Sequence, residues 1–388
     1  MRRSRDWVGK PVEMPPPAPQ TGGGGSRWKS FKRARSPERG PQAVAASTAA
    51  ASLVAQHYNK RANTMRTTTS GATMLGLRNL NNWIKSVLLG QHLSSGCSVL
   101  DFACGKGGDM LKYNKAGIGH YVGIDIAKGS VADAVGRYNA AERDSRFPPM
   151  PFTARFLAGD CFAVDLASHL PPALRFDVVS CQFALHYAFE SEARARQAIR
   201  NAAARIQPGG HFVGTIPDAS VLCTKLKGAP SGEFSNVHYR VVFDASLVGE
   251  GRLQGAMKKS PFGVRYRFTL EDAVEDVPEY LIFKPVIERI AAEEGLKLVC
   301  WANFHDYFAE QWSPQLELLK RMKVLPPPDH RMTEAEWEVA YLYTVFVFEK
   351  QAPPDSGPRM KAPHPGRRAH TRVDPANIVE CASLPGIE

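Results

Sequence analysis

No apolar run in the 388 residues approaches the ~18 that a membrane-spanning helix requires, so the chain is expected to be soluble. The opening Met1-Arg2-Arg3-Ser4-Arg5-Asp6 leads into Pro- and Gly-rich sequence with no apolar core, and no secretory signal is expected. Cysteine is scarce and unpaired. The seven cysteines (97, 104, 161, 181, 223, 300 and 381) include no Cys-x-x-Cys, and most fall in apolar, strand-like runs, which favours free thiols in a reducing compartment over disulfides or zinc. Internal repeats are missing, and so is any nucleophile–base pattern of the kind that covalent catalysis needs.

What is present is charge, unevenly spread. Of the net +11, residues 1–50 carry +7 from ten Lys/Arg against three acids, and residues 351–388 carry +1 from five against four. Only +3 remains on residues 51–350. The first 50 residues, with Pro15-Pro16-Pro17, Gly22 through Gly25 and few large apolar side chains, cannot bury enough surface to offset ordering, and are expected to be a disordered basic tail. Such an arm suits nucleic acid, acidic partners or nuclear import, and equally a purely solubilising role. The segment 351–388, with repeated Pro and Gly, also reads as a disordered tail.

The most informative stretch is Val99-Leu100-Asp101-Phe102-Ala103-Cys104-Gly105-Lys106-Gly107-Gly108-Asp109. An apolar run breaks at an acid into small residues and then into the helix-forming Met110-Leu111-Lys112-Tyr113. That is a strand, a tight turn and a helix start, whose free N–H groups and lack of side chains admit a ligand. Downstream, Tyr121-Val122-Gly123-Ile124-Asp125-Ile126 is a second strand ending in an acid, which suits a ribose diol. A dinucleotide fold would want Gly-x-Gly-x-x-Gly, and Ala103 holds the first of those positions. The acid-then-small-x-Gly-x-Gly order resembles instead motif I of class I S-adenosylmethionine-dependent methyltransferases, in which Asp101 would sit at the amino-acid end of the cofactor.

The order of elements predicts an α/β domain over 51–350. An amphipathic helix covers 77–89. Strands follow at 98–102, 121–126, 152–157, 176–183 and 211–216, with helices at 128–141 and 191–206, the latter stopped by Pro208-Gly209-Gly210. Leu296 to Phe304 and Leu342 to Glu349 make the last two strands, with the reversal that closes the sheet. The intervening stretch, about 217–286, is too long for a simple crossover and is expected to cover a second substrate. Within it 237–243 and 264–268 alternate like antiparallel strands, whose Arg and Tyr residues fit either a nucleotide groove or a solvated hairpin face.

Six separated segments carry a specific resemblance. Gly76-Leu77-Arg78-Asn79-Leu80-Asn81-Asn82-Trp83-Ile84-Lys85, Gly105-Lys106-Gly107-Gly108-Asp109, Gly159-Asp160-Cys161-Phe162, Gln182-Phe183-Ala184-Leu185-His186-Tyr187-Ala188-Phe189-Glu190, Gly214-Thr215-Ile216-Pro217-Asp218 and Val277-Pro278-Glu279-Tyr280-Leu281 occur in order. Over about residues 55–350 the chain resembles a eukaryotic mRNA cap guanine-N7 methyltransferase of fungal type. The resemblance implies a Rossmann-like class I methyltransferase fold: a seven-stranded, mostly parallel sheet with a reversed closing strand and an inserted cap-binding region.

By resemblance, Lys85, Asp101, Ala103, Gly105, Asp125, Asp160, Gln182 and Tyr187 belong to the S-adenosylmethionine site, with Asp125 on the ribose and Asp160 at the adenine edge. Ala103 stands where the family has glycine, which narrows the room for the methionine moiety. Asn81, Asn82, Lys106, Lys112, Arg137, His186, Pro217, Glu279 and Tyr343 fall on cap-contacting positions. Glu279 suits the N1–H and exocyclic amine of guanine, and the basic side chains suit the triphosphate bridge. Plainer roles stay open: Lys106 exposed on a turn, Arg137 paired with Glu142, His186 a satisfied strand-end histidine, Glu279 a helix-start acid, Tyr343 core.

The implied reaction is methyl transfer from S-adenosylmethionine to guanine N7 of the GpppN cap by in-line displacement. N7 carries a lone pair and no proton, so no general base and no metal are expected, and His186, Tyr187 and Glu279 would position rather than transfer protons. The expected partners are capped mRNA and, through the basic tail, RNA polymerase II or other capping enzymes, for a monomer in the nucleus. A methyltransferase of another RNA or of a small molecule would share 101–109, 125 and 160 but has no reason to carry the 186–190, 217 and 279 segments. A non-catalytic RNA-binding relative would be expected to lose Asp125 or Asp160.

Overall fold

The computed structural model describes residues 74–140, 150–249, 252–253, 260–324, 332–352 and 371–384. The basic tail 1–50 and Glu142 lie outside them. The helix Leu75–His92 leads to β1 (Ser98–Phe102), helix Met110–Ala116, β2 (His120–Asp125), helix Lys128–Ala140 and β3 (Thr153–Ala158). The short helix Leu166–His169, β4 (Phe176–Gln182), helix Glu192–Ala203 and β5 (Ile206–Pro217) follow. After helix Ala219–Lys227 come β6 (Glu233–Ser235), β7 (Tyr239–Phe243), the small pair β8 (Val248–Gly249) and β9 (Arg252–Leu253), β10 (Arg265–Leu270) and β11 (Val274–Tyr280). Helix Lys284–Glu293, β12 (Leu296–Asn303), helices Phe304–Gln311, Leu316–Arg321 and Glu334–Tyr341, β13 (Tyr343–Lys350) and β14 (Val379–Glu380) complete the order.

The main sheet runs β12-β13-β5-β4-β1-β2-β3-β14. Only β13 is reversed, antiparallel to both β12 and β5, while β3-β2-β1-β4-β5 pair in parallel. Strands buried on both faces are expected to be mainly apolar, and the central runs Val99-Leu100, Tyr121-Val122 and Val178-Val179 are. Val99, Tyr121, Val178, Val213 and Val345 enter the core shared with the opening helix. Their neighbours Leu100, Val122, Val179, Phe212 and Phe346 enter the other core, as the two-residue period of a strand requires.

Two expectations are corrected. The sheet has eight strands rather than seven, because residues 379–380 pair in parallel with the outer edge of β3. The C-terminal segment is accordingly ordered over 371–384. Its Pro and Gly residues cluster before 367, while the short run around Ile378-Val379 carries the strand-forming side chains.

The insertion folds as a second sheet, β11-β10-β7-β6, antiparallel throughout. Tyr239 and Tyr266 are buried in it, whereas Arg240, Arg265 and Arg267 stand exposed and pair with Glu233, Asp244 and Asp276. The arginines therefore stand on the solvated, ion-paired face of this sheet. Glu279 lies in β11, so it is not a helix-start acid.

Glu336 joins the two ends of the domain. It closes the capping box with Thr333, and its Oε1 accepts the Leu77 N–H at 3.1 Å, capping the opening helix from 259 residues away. Removing it leaves donors of two helix starts without partners. Glu336→Ala is expected to lower the unfolding free energy by about 2–3 kcal/mol in urea titration, and the exposed neighbour variant Glu334→Ala by less than about 0.5 kcal/mol; equal effects would refute this capping role.

Candidate functional site

The loop between β1 and the helix at Met110 is built from left-handed backbone. Ala103, Gly105 and Gly107 have φ of 50°, 52° and 69°. The glycines take this conformation freely, and alanine pays a steric penalty of about 1 kcal/mol. Asp125, at the end of β2, holds the loop from one side: its Oδ2 accepts the Gly105 N–H and its Oδ1 the Ala127 N–H, both at 2.8 Å. Burial raises the Asp125 pKa against those two donors.

Asp109 holds the loop from the other side. It is buried, with Lys112 Nζ 2.7 Å and Lys85 Nζ 2.9 Å from its Oδ1. Burial alone would push its carboxyl up, but the two ammonium groups hold it well below the ordinary range. Lys112 also donates to Asn82 Oδ1 at 3.2 Å.

Around the loop lies a pocket of about 200 Å³. Of the expected cofactor residues, Ala103, Gly105, Asp125, Asp160, Gln182 and Tyr187 line it. Lys85 and Asp101 do not. Lys85 is taken by Asp109, and both oxygens of Asp101 accept from tyrosine hydroxyls, Tyr113 at 2.9 Å and Tyr121 at 3.1 Å. Burial, with the nearby Asp109, pushes the Asp101 carboxyl up to about 7.

The expected cap residues fall into small groups. His186 and Glu279 are both buried, with Nε2 3.4 Å from Oε1 in a geometry that makes no hydrogen bond, so both ring nitrogens lack a hydrogen-bond partner among the described residues. Tyr266 donates its hydroxyl to the other oxygen of Glu279 at 2.6 Å. Pro217 and Tyr343 face each other across β5 and β13, and the Tyr343 ring meets Phe183 edge-on at 5.1 Å. Asn82 joins Lys112, and Asn81 leaves a buried Oδ1 without a hydrogen bond. Lys106 and Arg137 lie between loop and helix instead: Lys106 pairs with Asp133 at 3.2 Å, and Arg137 donates to the Gly107 carbonyl at 3.2 Å.

Three contributors escaped the sequence reading. Arg194, from the helix expected over 191–206, is buried and donates to Asp160 Oδ2 at 2.7 Å. Phe183 lines the pocket with φ of 55°, a conformation a bulky residue rarely holds, and its N–H is fixed by the Thr215 carbonyl and hydroxyl. Tyr266 anchors Glu279. The segment 182–190 contained Phe183, and its placement directly after a strand-end Gln was the available signal.

The family model described as mRNA (guanine-N(7))-methyltransferase domain matches residues 42–351. The chain belongs to the mRNA cap guanine-N7 methyltransferase family. The mRNA cap guanine-N(7) methyltransferase 1 of Arabidopsis thaliana is 42% identical over 83% of this chain and 86% of its own length. The enzyme of the same name from Oryza sativa subsp. japonica is 39% identical over 91% and 92%. That of Schizosaccharomyces pombe is 38% identical over 77% and 82%, so a fungal type is not singled out. A solved S-adenosylmethionine-dependent methyltransferase from Clostridium acetobutylicum aligns with 78% of this chain and 99% of its own at 12% identity and a TM-score of 0.41.

As a cap guanine-N7 methyltransferase, the protein is an enzyme that uses S-adenosylmethionine. The pocket fits that cofactor by its chemistry. Asp125 and Asp160 each spend one lone pair per oxygen on protein donors and keep acceptor capacity, which matches a ribose diol and an exocyclic amine. Ala103 tests how tightly the loop of this methyltransferase is specified. Ala103→Gly is expected to change stability by less than about 1 kcal/mol, because relief of the left-handed strain is offset by unfolded-state entropy. Ala103→Val should cost about 2 kcal/mol and weaken cofactor binding by calorimetry, since a β-branched side chain at positive φ also fills the pocket; unchanged stability and affinity in the valine variant would show that the backbone here is not left-handed.

Proposed function

We propose that the enzyme methylates N7 of the GpppN cap by holding its two substrates in line, without transferring a proton through any side chain. The observation that carries this reading is the buried His186–Glu279 pair beside the pocket: polar groups kept out of water, in which the ring nitrogens have no hydrogen-bond partner among the described residues. An unsatisfied buried group costs about 1–3 kcal/mol, a cost that a bound polar substrate removes.

When bound, S-adenosylmethionine supplies an electrophilic methyl group on a sulfonium. Asp125 receives the ribose diol, Asp160, steadied by Arg194, faces the adenine edge, and Gly105, Gln182 and Tyr187 close the pocket walls. Asp101 and Lys85 act indirectly, keeping the loop in place through the tyrosines and Asp109. Glu279 accepts from guanine N1–H and the exocyclic amine, His186 supplies a further polar contact, and Asn81, Asn82, Lys106, Lys112, Arg137, Pro217 and Tyr343 shape the cap and triphosphate site. Guanine N7 is already a free nucleophile, so alignment does the catalysis, worth up to ~7–11 kcal/mol where geometry is well held. Acceptors near the base also favour the cationic product.

We further infer action in the nucleus on capped mRNA as a monomer, with the basic residues 1–50 engaging longer RNA or the transcription machinery. Incubation with labelled S-adenosylmethionine and GpppG-capped or uncapped RNA, followed by cap digestion, is expected to yield 7-methylguanosine only from capped RNA; methylation of uncapped RNA or of another position would overturn the reading. Within the site, Glu279→Gln turns an acceptor into a donor aimed at guanine's own donors. It should cost about 2–4 kcal/mol in kcat/KM with cofactor affinity unchanged, while Glu275→Gln on the exposed part of the same strand stays near the parent. Equal, small effects in the two variants would remove Glu279 from the cap contacts.

A further inference from the structure

The family's domain match ends at residue 351, yet the chain returns to the cofactor pocket beyond it. β14 lies alongside β3, with Val379 opposite Leu157 and Glu380 opposite Ala158. The pairing then continues onto the loop that carries Asp160. The Cys381 N–H donates to the Ala158 carbonyl and the Leu384 N–H to the Ala163 carbonyl, both at 2.8 Å, and Ser383 bridges Val164. Gly159 passes so close that a Cβ there would lie 2.8 Å from both Cys381 Cβ and the Cys381 carbonyl oxygen. Between these anchor points stand Asp160, Cys161 and Phe162, all of which line the pocket.

The same segment is tied to the neighbouring helix. Val373 exchanges two hydrogen bonds with the Asn139 side chain, at 2.7 Å and 3.0 Å, and Glu380 pairs with Lys128. Lys128 opens the helix that follows Asp125 and Ile126, so two of the three carboxylates that line the pocket, Asp125 and Asp160, sit on or next to backbone that this segment braces. Val373, Ile378, Val379 and Cys381 pack against the two cores, which makes the attachment more than a polar contact.

We propose that residues 371–384 are a positioning strap for the cofactor pocket, holding the 159–164 loop and the start of the helix at Lys128 in the arrangement that binds S-adenosylmethionine. This rests on the reading of that pocket as the cofactor site. Without the strap, β3 becomes an exposed edge and the loop loses its partners at Ala158 and Ala163, so local opening becomes cheaper. The observed affinity for a ligand scales with the fraction of molecules in the binding-competent form. Among the described residues, the hydrogen bonds and ion pair given above for Val373, Glu380, Cys381 and Leu384 go to no residue assigned to the cap, and the effect is expected on the cofactor.

The test uses full-length protein carrying Cys381→Pro together with Leu384→Pro, which deletes the two donating N–H groups while leaving an edge segment that tolerates proline. Cys381→Ala, which keeps the N–H, is the control. Titration calorimetry with S-adenosylmethionine and with S-adenosylhomocysteine is expected to show about tenfold weaker binding of both to the double variant and parent-like binding to the control. The cofactor KM should rise by the same factor, with kcat at saturating cofactor and the KM for GpppG unchanged, and amides of 159–164 should exchange faster. Parent-like cofactor affinity in the double variant overturns the strap. So does a joint fall in kcat, cap affinity and melting temperature, which would be a merely structural effect. If the unsubstituted protein itself fails to bind S-adenosylmethionine, the reading of the pocket falls rather than the strap.

Discussion

Asp109 sits nearly out of water with Lys85 and Lys112 on its carboxylate, and that cluster ties together the glycine-containing loop after β1 and the helices on either side of it. The loop with left-handed Ala103, Gly105 and Gly107 makes a turn bond of its own, from the Gly107 N–H to the Cys104 carbonyl, and is further held where Asp125 receives the Gly105 N–H, Ile124 the Cys104 N–H, and Asp109 pins its end. Lys85 comes from the opening helix, Asp109 from the loop and Lys112 from the next helix, so one ion cluster registers three elements. Taking Asp109 away would leave two half-buried ammonium groups without their counter-ion, which costs several kcal/mol. Lys112 also reaches Asn82, so the element that fixes the cofactor loop continues into residues assigned to the cap.

A second layer of buried charge repeats the logic on the far side of the pocket. Arg194 fixes Asp160, and Tyr266 fixes Glu279, each through a hydrogen bond of 2.7 Å or less. In the proposed reading these residues contribute by orienting carboxylates that keep acceptor capacity for the ligands. A site of this kind needs no side chain with a shifted proton affinity to do chemistry. It needs acceptors that are already aimed when the substrates arrive.

Much of this was legible in the sequence where a residue's role is local. Val99 to Asp101 and Tyr121 to Asp125 alternate between two cores and end at the sheet edge, so the apolar runs and the terminal acids betray strand and site together. The opening helix shows its buried face through Leu77, Leu80, Ile84, Val87 and Leu88. What escaped were roles set by distant partners. Arg194 meets Asp160 from 34 residues away and Glu336 caps Leu77 from 259, and neither a helix rich in Ala and Arg nor a capping box reveals such a partner. Asp101 carried the right motif, but it lies behind the pocket lining, bonded to tyrosines from β2 and the helix at Met110, a fact of packing that no spacing shows. β14 was invisible because a strand of two residues lies below any periodicity, and only the open edge of β3 gives it meaning.

In the proposed mechanism methyl transfer to guanine N7 depends on alignment and on no side chain that gains or loses a proton. It is tested most directly by the single-turnover rate of methylation of GpppG at saturating cofactor and cap, measured from about pH 6 to about pH 8.5, across the range in which histidine side chains titrate. A rate that stays level over that span is the predicted result. A rate that climbs with unit slope through it would require a general base and would contradict the account.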